Sequence, residues 1–268
     1  MLRIELTTKC NFSCYFCDSR LFKDHYTLDN YYNIIDQAAD LDIKYLELTP
    51  SDGEIFTDKD IINKLKYAVV KIPQVMFYTN FGLCTPDIID QLKNIKLDIR
   101  ISDYGCDDQE IFEYMTRTKS FDKYKNNLKY ADEVGLEYRL YKRLPDENIF
   151  YDNTNQDIDD KYKSKNMPIK EIQGVCSYQY FPRIMANGDF VLCSCSGGIL
   201  TLEPEMIIGN ITNTSLKELL YNKKRKEFYI NQKDNNYTNY CLSCPMFSTT
   251  DIKPNINSLK RIINVKDT

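Results

Sequence analysis

Leu2-Arg3-Ile4-Glu5-Leu6-Thr7-Thr8-Lys9-Cys10-Asn11-Phe12-Ser13-Cys14-Tyr15-Phe16-Cys17 sets how the rest of the chain is read. Leu2–Thr7 reads as a strand, and the chain runs from it into three closely spaced cysteines. In α/β folds the loops that leave the carboxyl ends of strands build the sites. A C-x3-C-x2-C group there can place three thiolates around one side of a cubane [4Fe–4S] cluster, leaving one iron open to a substrate or cofactor. A structural zinc site would instead want four closed ligands. His25 is the histidine available as a fourth, and it lies distant in sequence.

Outward from this loop, strand and helix patterns alternate. Helical patterns cover Leu28–Leu41 (Thr27 as cap), Asp58–Val70 (Thr57 as cap), Pro86–Lys93, Asp107–Met115 and Phe121–Glu133, the last stopping at Gly135. Between them Lys44–Thr49, Gln74–Thr79, Leu97–Ser102 and Leu136–Lys142 read as strands. Parallel strands need long crossovers, so this order implies a parallel sheet covered by helices. The pattern fades from Pro145 to Lys170, a stretch read as a linker or lid with one more strand possible at Ile149–Tyr151. Beyond it, Phe181–Ala186 and Asp189–Cys193 flank Asn187-Gly188, a strong hairpin signal, and Ser215–Tyr221 reads as a helix with Thr214 as cap. Residues 255–265 form a possible final helix. The expected division is 1–150, a linker or lid at 151–171, a Cys-containing module at 172–250, and a tail at 251–268.

Composition narrows the chemistry. The 268 residues include ten cysteines and one histidine, and carry a formal charge of −4. That charge argues against nucleic acid as the partner. No apolar run approaches ~18 residues, and the charged start shows no signal peptide, so a cytoplasmic, non-membrane protein is expected. Thiols there stay reduced, and clustered cysteines read as metal ligands or redox groups. With one histidine, His-rich hydrolytic zinc sites, a non-haem iron facial triad and Ser-His-Asp catalysis are all disfavoured. No side chain stands out as a catalytic acid, base or nucleophile.

The cysteine motif, with Phe16 directly before Cys17, resembles the radical S-adenosylmethionine (SAM) superfamily, and further segments follow in the family's order. Asp52-Gly53-Glu54-Ile55 resembles its Gly-Gly-Glu-Pro segment, with Asp52 and Ile55 departing from it. Thr79-Asn80-Phe81-Gly82 resembles its Thr-Asn-Gly turn, and Ser102-Asp103-Tyr104-Gly105 its ribose-contacting segment. The stretch from Met115 to Leu128 also matches a recurring family pattern. The resemblance implies an open partial (β/α)6-type TIM barrel. It implies that Cys10, Cys14 and Cys17 bind a cluster, with Phe16 beside adenine and Gly53 and Glu54 at the methionine amine. Thr79, Asn80 and Ser102 would complete the SAM site, and Arg139 would reach the SAM carboxylate. Reductive cleavage of SAM would then give a 5′-deoxyadenosyl radical that abstracts hydrogen from substrate.

Toward the end, Cys176, Cys193, Cys241 and Cys244 could close around an auxiliary [4Fe–4S] cluster or zinc, with Cys195 an alternate to Cys193. This region resembles the SPASM and twitch modules, and the count of five cysteines fits the smaller, one-cluster twitch form, a β-hairpin plus helix. The spacing resembles that of compact aminocyclitol dehydrogenases in the family. The expected activity is therefore oxidation of a secondary alcohol on a sugar or cyclitol, with electrons supplied by a flavodoxin or ferredoxin. Two other readings stand beside it: peptide modification (thioether, epimerisation or crosslink), and a non-catalytic iron–sulfur or zinc scaffold. Nine residues precede Cys10, with no leader-recognition domain before it, which weighs against a peptide. Arg143, Arg183 and Tyr141 are candidates to face the cavity, Lys223-Lys224-Arg225 reads as a solvated helix end, and Cys84 and Cys106 read as free thiols.

Overall fold

The structure, a computed structural model, describes residues 1–17, 26–143, 172–194 and 202–244. Strands β1 (Leu2–Ile4), β2 (Tyr45–Glu47), β3 (Gln74–Thr79), β4 (Asp98–Tyr104) and β5 (Arg139–Arg143) are parallel neighbours in that order. Helices α1 (Tyr31–Asp40), α2 (Ile61–Lys71), α3 (Pro86–Leu92), α4 (Gln109–Thr116) and α5 (Phe121–Val134) form the crossovers. Each buries one stripe: α1 turns Tyr31, Ile34, Ile35 and Ala38 to the sheet, the three-and-four spacing of a helix face. Gly135, at φ 74°, ends α5 in the left-handed conformation that glycine adopts without a Cβ penalty.

The sheet does not stop at β1. Strand β6 (Arg183–Ile184) lies parallel to it, with Arg3 opposite Arg183 and Ile4 opposite Ile184. Antiparallel β7 (Asp189–Val191) and β8 (Ile207–Asn210) continue the same sheet, giving the order β5-β4-β3-β2-β1-β6-β7-β8. The hairpin of the second module thus supplies the sixth parallel position. The strand considered at Ile149–Tyr151, the linker, the tail, His25 and Cys195 lie outside the described residues. The hairpin turn holds Gly188 at φ 87°, where an added Cβ would meet Asn210 Oδ1 at 2.7 Å. Helices α6 (Leu216–Leu220), α7 (Lys223–Lys233) and α8 (Asn239–Ser243) complete the module. Of these, α7, α8 and β8 were not read from the sequence.

Several expected caps are displaced. Thr27 forms a bridge with Thr7, and Asn30 precedes α1. Thr57 ends a short 3₁₀ turn and donates to the carbonyls of Glu54 and Lys9, while Asp60 precedes α2. Ser215, not Thr214, caps α6 in a reciprocal box with Glu218. Arg225 is buried rather than solvated; its guanidinium donates to the carbonyls of Leu220 and Gln179. No helix among the described residues is long and apolar enough to cross a membrane.

Candidate active site

The three-cysteine loop is shaped by what surrounds it. At its base Thr8 donates its N–H to Tyr26 O, Tyr26 donates back to Thr8 Oγ1, and Leu28 donates to Leu6 O. Further out, Ser13 N and Tyr15 N donate to the carbonyls of Thr116 and Met115. These are carbonyls at the C-terminus of α4 that have no partner within the helix. Phe12 packs edge-on to Phe112 at 5.7 Å, and Gly82 makes room, since a Cβ there would lie 2.9 Å from both Asn11 and the Phe12 ring. Cys14 is buried, and Cys10 and Cys17 are half-buried. Phe12 N and Asn80 Nδ2 point at Cys10 Sγ, at 3.5 and 3.8 Å. Burial, with Glu54 nearby, pushes the Cys10 thiol up to about 12. Burial raises Cys14 as well, and Cys17 and Cys10 add to it. Thiols so placed stay protonated until a metal supplies the compensating positive charge.

The loop after β2 lies directly on this segment. Glu54 N donates to Lys9 O at 2.8 Å. A Cβ at Gly53 would stand 2.6 Å from Thr7 O and 3.1 Å from Lys9 O, so the backbones touch where only glycine fits. The Glu54 carboxylate is buried and accepts from Thr79 Oγ1 at 2.6 Å, Asn80 N at 2.7 Å and Phe56 N at 3.3 Å. Burial pushes its pKa up to about 7 against the pull of those three donors. Asn80 also donates to Asn11 Oδ1 and accepts from Gly82 N. Phe81 holds φ 58°, a conformation that costs a non-glycine residue roughly 1 kcal/mol or more. Glu54, Thr79 and Asn80 therefore lock the ends of β2 and β3 to Cys10.

Ser102 is buried on β4 and shares a side-chain hydrogen bond with Tyr104. Tyr104 packs against Phe16 at 5.8 Å and Phe12 at 6.5 Å, so Ser102 and Phe16 join the same face. Arg139 is not brought to this group. It opens β5 opposite Arg100, is 59% exposed, and pairs with Asp98 at the start of β4. At ~3.3 Å per residue it sits roughly 13 Å down the strand from Arg143, which lies level with Tyr104. Tyr141 packs on Tyr78, and both rings face the Arg100 guanidinium.

The second set comes from separate elements. Cys176 precedes a 3₁₀ turn (Ser177–Tyr180), Cys193 follows β7, Cys241 lies in α8 and Cys244 caps it. Cys193 and Cys241 share an apolar cluster with Leu192, Met206 and Phe228. Burial pushes the Cys241 thiol up to about 11, with Cys244 and Cys176 adding to the rise. Among the described residues no group of His, Cys, Asp or Glu converges tightly enough for a single metal ion.

Arg3 and Arg183 link the two sets. Arg3 donates to Thr49 O at 3.2 Å, Ser51 Oγ at 3.1 Å and Ser194 O at 3.4 Å. Arg183, buried and ion-paired with Glu5, also donates to Ser194 O, at 3.4 Å, and Glu5 accepts from Ser51 N at 2.8 Å. Arg183, one of the sequence candidates to face the cavity, is thus committed to Glu5. Arg3 and Glu5 were not singled out, although two charges in a strand flanked on both sides were a signal.

The radical SAM superfamily pattern matches residues 4–149, and SPASM, an iron–sulfur cluster-binding domain, matches 176–245. Probable GTP 3′,8-cyclases of Sulfolobus acidocaldarius and Saccharolobus islandicus are 31% and 32% identical over 145 and 140 residues, half of this chain. The chain covers 44% of each of those relatives. Among solved structures, BtrN in complex with AdoMet and 2-DOIA aligns over 91% of this chain and 92% of its own, at 16% identity and TM-score 0.61. Streptococcus suis SuiB bound to S-adenosylmethionine aligns over 92% and 71%, at 17% identity and TM-score 0.63. Native anSMEcpe with bound AdoMet aligns over 99% and 97%, at 12% identity and TM-score 0.61. The two matched domains imply SAM and [4Fe–4S] clusters as cofactors. The order of the cysteine loop and the strand-end segments that brace it has its explanation there: the chain belongs to the radical SAM superfamily.

Proposed function

We propose that the protein oxidises a secondary alcohol of a small polyol such as a sugar or cyclitol. In this reading Cys10, Cys14 and Cys17 hold the SAM-binding cluster, and Cys176, Cys193, Cys241 and Cys244 hold the auxiliary one. When bound, the first cluster and SAM would supply a 5′-deoxyadenosyl radical able to take a hydrogen atom from the substrate, and the auxiliary cluster would serve as a one-electron acceptor. Loss of that hydrogen atom leaves a carbon-centred radical on the carbinol; loss of a proton and an electron then gives the carbonyl. A small reduced electron-transfer protein, a flavodoxin or ferredoxin, restores the electron used to cleave SAM.

The chain's own residues have two tasks. Gly53, Glu54, Thr79 and Asn80 keep the strand-end loops against Cys10, and Phe16, Ser102 and Tyr104 frame the side where adenosine fits. The observation that carries the reading is Arg3, which binds Ser51 in the loop beside Gly53 and Ser194 beside Cys193. This contact supports a reading in which the loop beside Gly53 and the segment carrying Cys193 serve one reaction. Peptide modification is the competing reading, favoured by the structural likeness to anSMEcpe, which has been solved with a bound peptide. The deciding experiment follows deuterium from substrate into 5′-deoxyadenosine in the reconstituted, reduced protein. Transfer from a carbinol-labelled cyclitol or sugar is expected; transfer from a labelled peptide alone would overturn the alcohol reading.

A further inference from the structure

We propose that Gln232 is a positioning residue of the auxiliary centre, whose side-chain N–H fixes and tunes the Cys241 sulfur. The inference rests on the auxiliary-cluster reading above. Gln232 lies in α7, 2% exposed, and touches elements that carry two of the four cysteines. Its Oε1 accepts from Cys176 N at 2.9 Å and from Gln179 Nε2 at 2.9 Å. Two donors on that oxygen settle the orientation of the amide, because the reversed amide would set donor against donor. Nε2 must then face Cys241 Sγ, which it does at 3.3 Å. Arg225, two turns earlier on the same helix face, donates to Gln179 O, so the turn following Cys176 is gripped at both ends.

A sulfur bound to iron carries negative charge and accepts such a bond more strongly than a thiol does. Hydrogen bonds to the sulfurs help set a cluster's potential, and outer contacts of this kind support metal retention. Reduction adds negative charge to the cluster, so the Gln232 N–H favours the reduced form. The auxiliary centre is thereby made a better electron acceptor.

The test compares Gln232→Glu and Gln232→Leu in the full reconstituted chain. Gln232→Glu keeps an oxygen for Cys176 N and Gln179 but replaces the donor with a second oxygen; Gln232→Leu removes both functions. EPR-monitored redox titration is run on each, and again with Cys14→Ala added to leave the auxiliary signal alone. Expected are a more negative auxiliary potential in Gln232→Glu, an unchanged first-cluster potential, and about 10-fold faster loss of auxiliary iron to a chelator in both variants. An auxiliary potential and iron retention equal to wild type in Gln232→Glu would overturn the proposal. So would loss of iron from both sites alike, which marks a folding defect. A folded Gln232→Glu chain that loads the first cluster but not the second supports it. If wild type carries about four irons and one zinc, the auxiliary-cluster reading fails by itself. Gln232 is then judged by zinc release, expected about 10-fold faster in both variants and refuted by equal rates.

Discussion

Cys10, Cys14 and Cys17 lie in one loop whose shape is imposed from outside, by carbonyls at the end of α4, by Asn80 and by the space left at Gly82. Cys176, Cys193 and the Cys241–Cys244 pair come from separate elements; Gln232 joins Cys176 to Cys241, and a small apolar cluster joins Cys193 to Cys241. The first set therefore depends on one loop and on what packs around it. The second depends on three segments distant in the chain being brought into one module.

Ligand removal separates the two sets most sharply. Cys14→Ala is expected to abolish 5′-deoxyadenosine formation and to lose about four irons per chain. Cys244→Ala is expected to lose a similar amount of iron while SAM cleavage persists without alcohol oxidation. Equal loss of SAM cleavage in both would show that the sites do not act separately. Next in size is the linkage between them. Arg183→Met leaves Glu5 buried without its partner, and a loss of about 3–5 kcal/mol in chemical denaturation is expected. A loss below about 1 kcal/mol would mean that the pair is hydrated rather than structural.

Crowding at the first site gives a smaller effect. Gly53→Ala places a methyl against Thr7 O, and a cost of about 1–3 kcal/mol with weakened SAM binding is expected by denaturation and calorimetry. The last effect is a pH slope. Glu54 has its pKa raised from 4.5 to about 7 in the folded protein, so the folded state holds its proton more tightly than the unfolded chain does. The stability it contributes is fully present below 4.5 and is lost as pH rises through about 7. Gln at this position should flatten that slope in paired denaturation curves; an unaltered slope would place its origin elsewhere.

The barrel half was legible because its signals are local. Apolar stripes such as Tyr31, Ile34, Ile35 and Ala38 announce a helix, and the three-cysteine spacing announces a ligand loop. Much of the second half was not. The buried face of α7 consists of Arg225, Phe228 and Gln232, so the helix has no apolar stripe to read, and its polar residues are inside because their partners are carbonyls, amides and a sulfur. The pairing of β6 with β1 is a contact between distant segments that no local pattern encodes. Arg139 shows the limit of motif transfer: the residue type matches, but the register sets it at the wrong end of its strand.

That same pairing has a consequence for how the protein is made. Arg3 and its strand neighbour Arg183 are separated by about 180 residues of chain. At roughly 5–20 residues per second, a ribosome needs about 10–40 s to deliver the second after the first. Through that interval β1 has one edge without its final partner, and the cysteine loop beside it hangs from a half-built wall. The first cluster ligands thus emerge long before the strand that completes the sheet beside them.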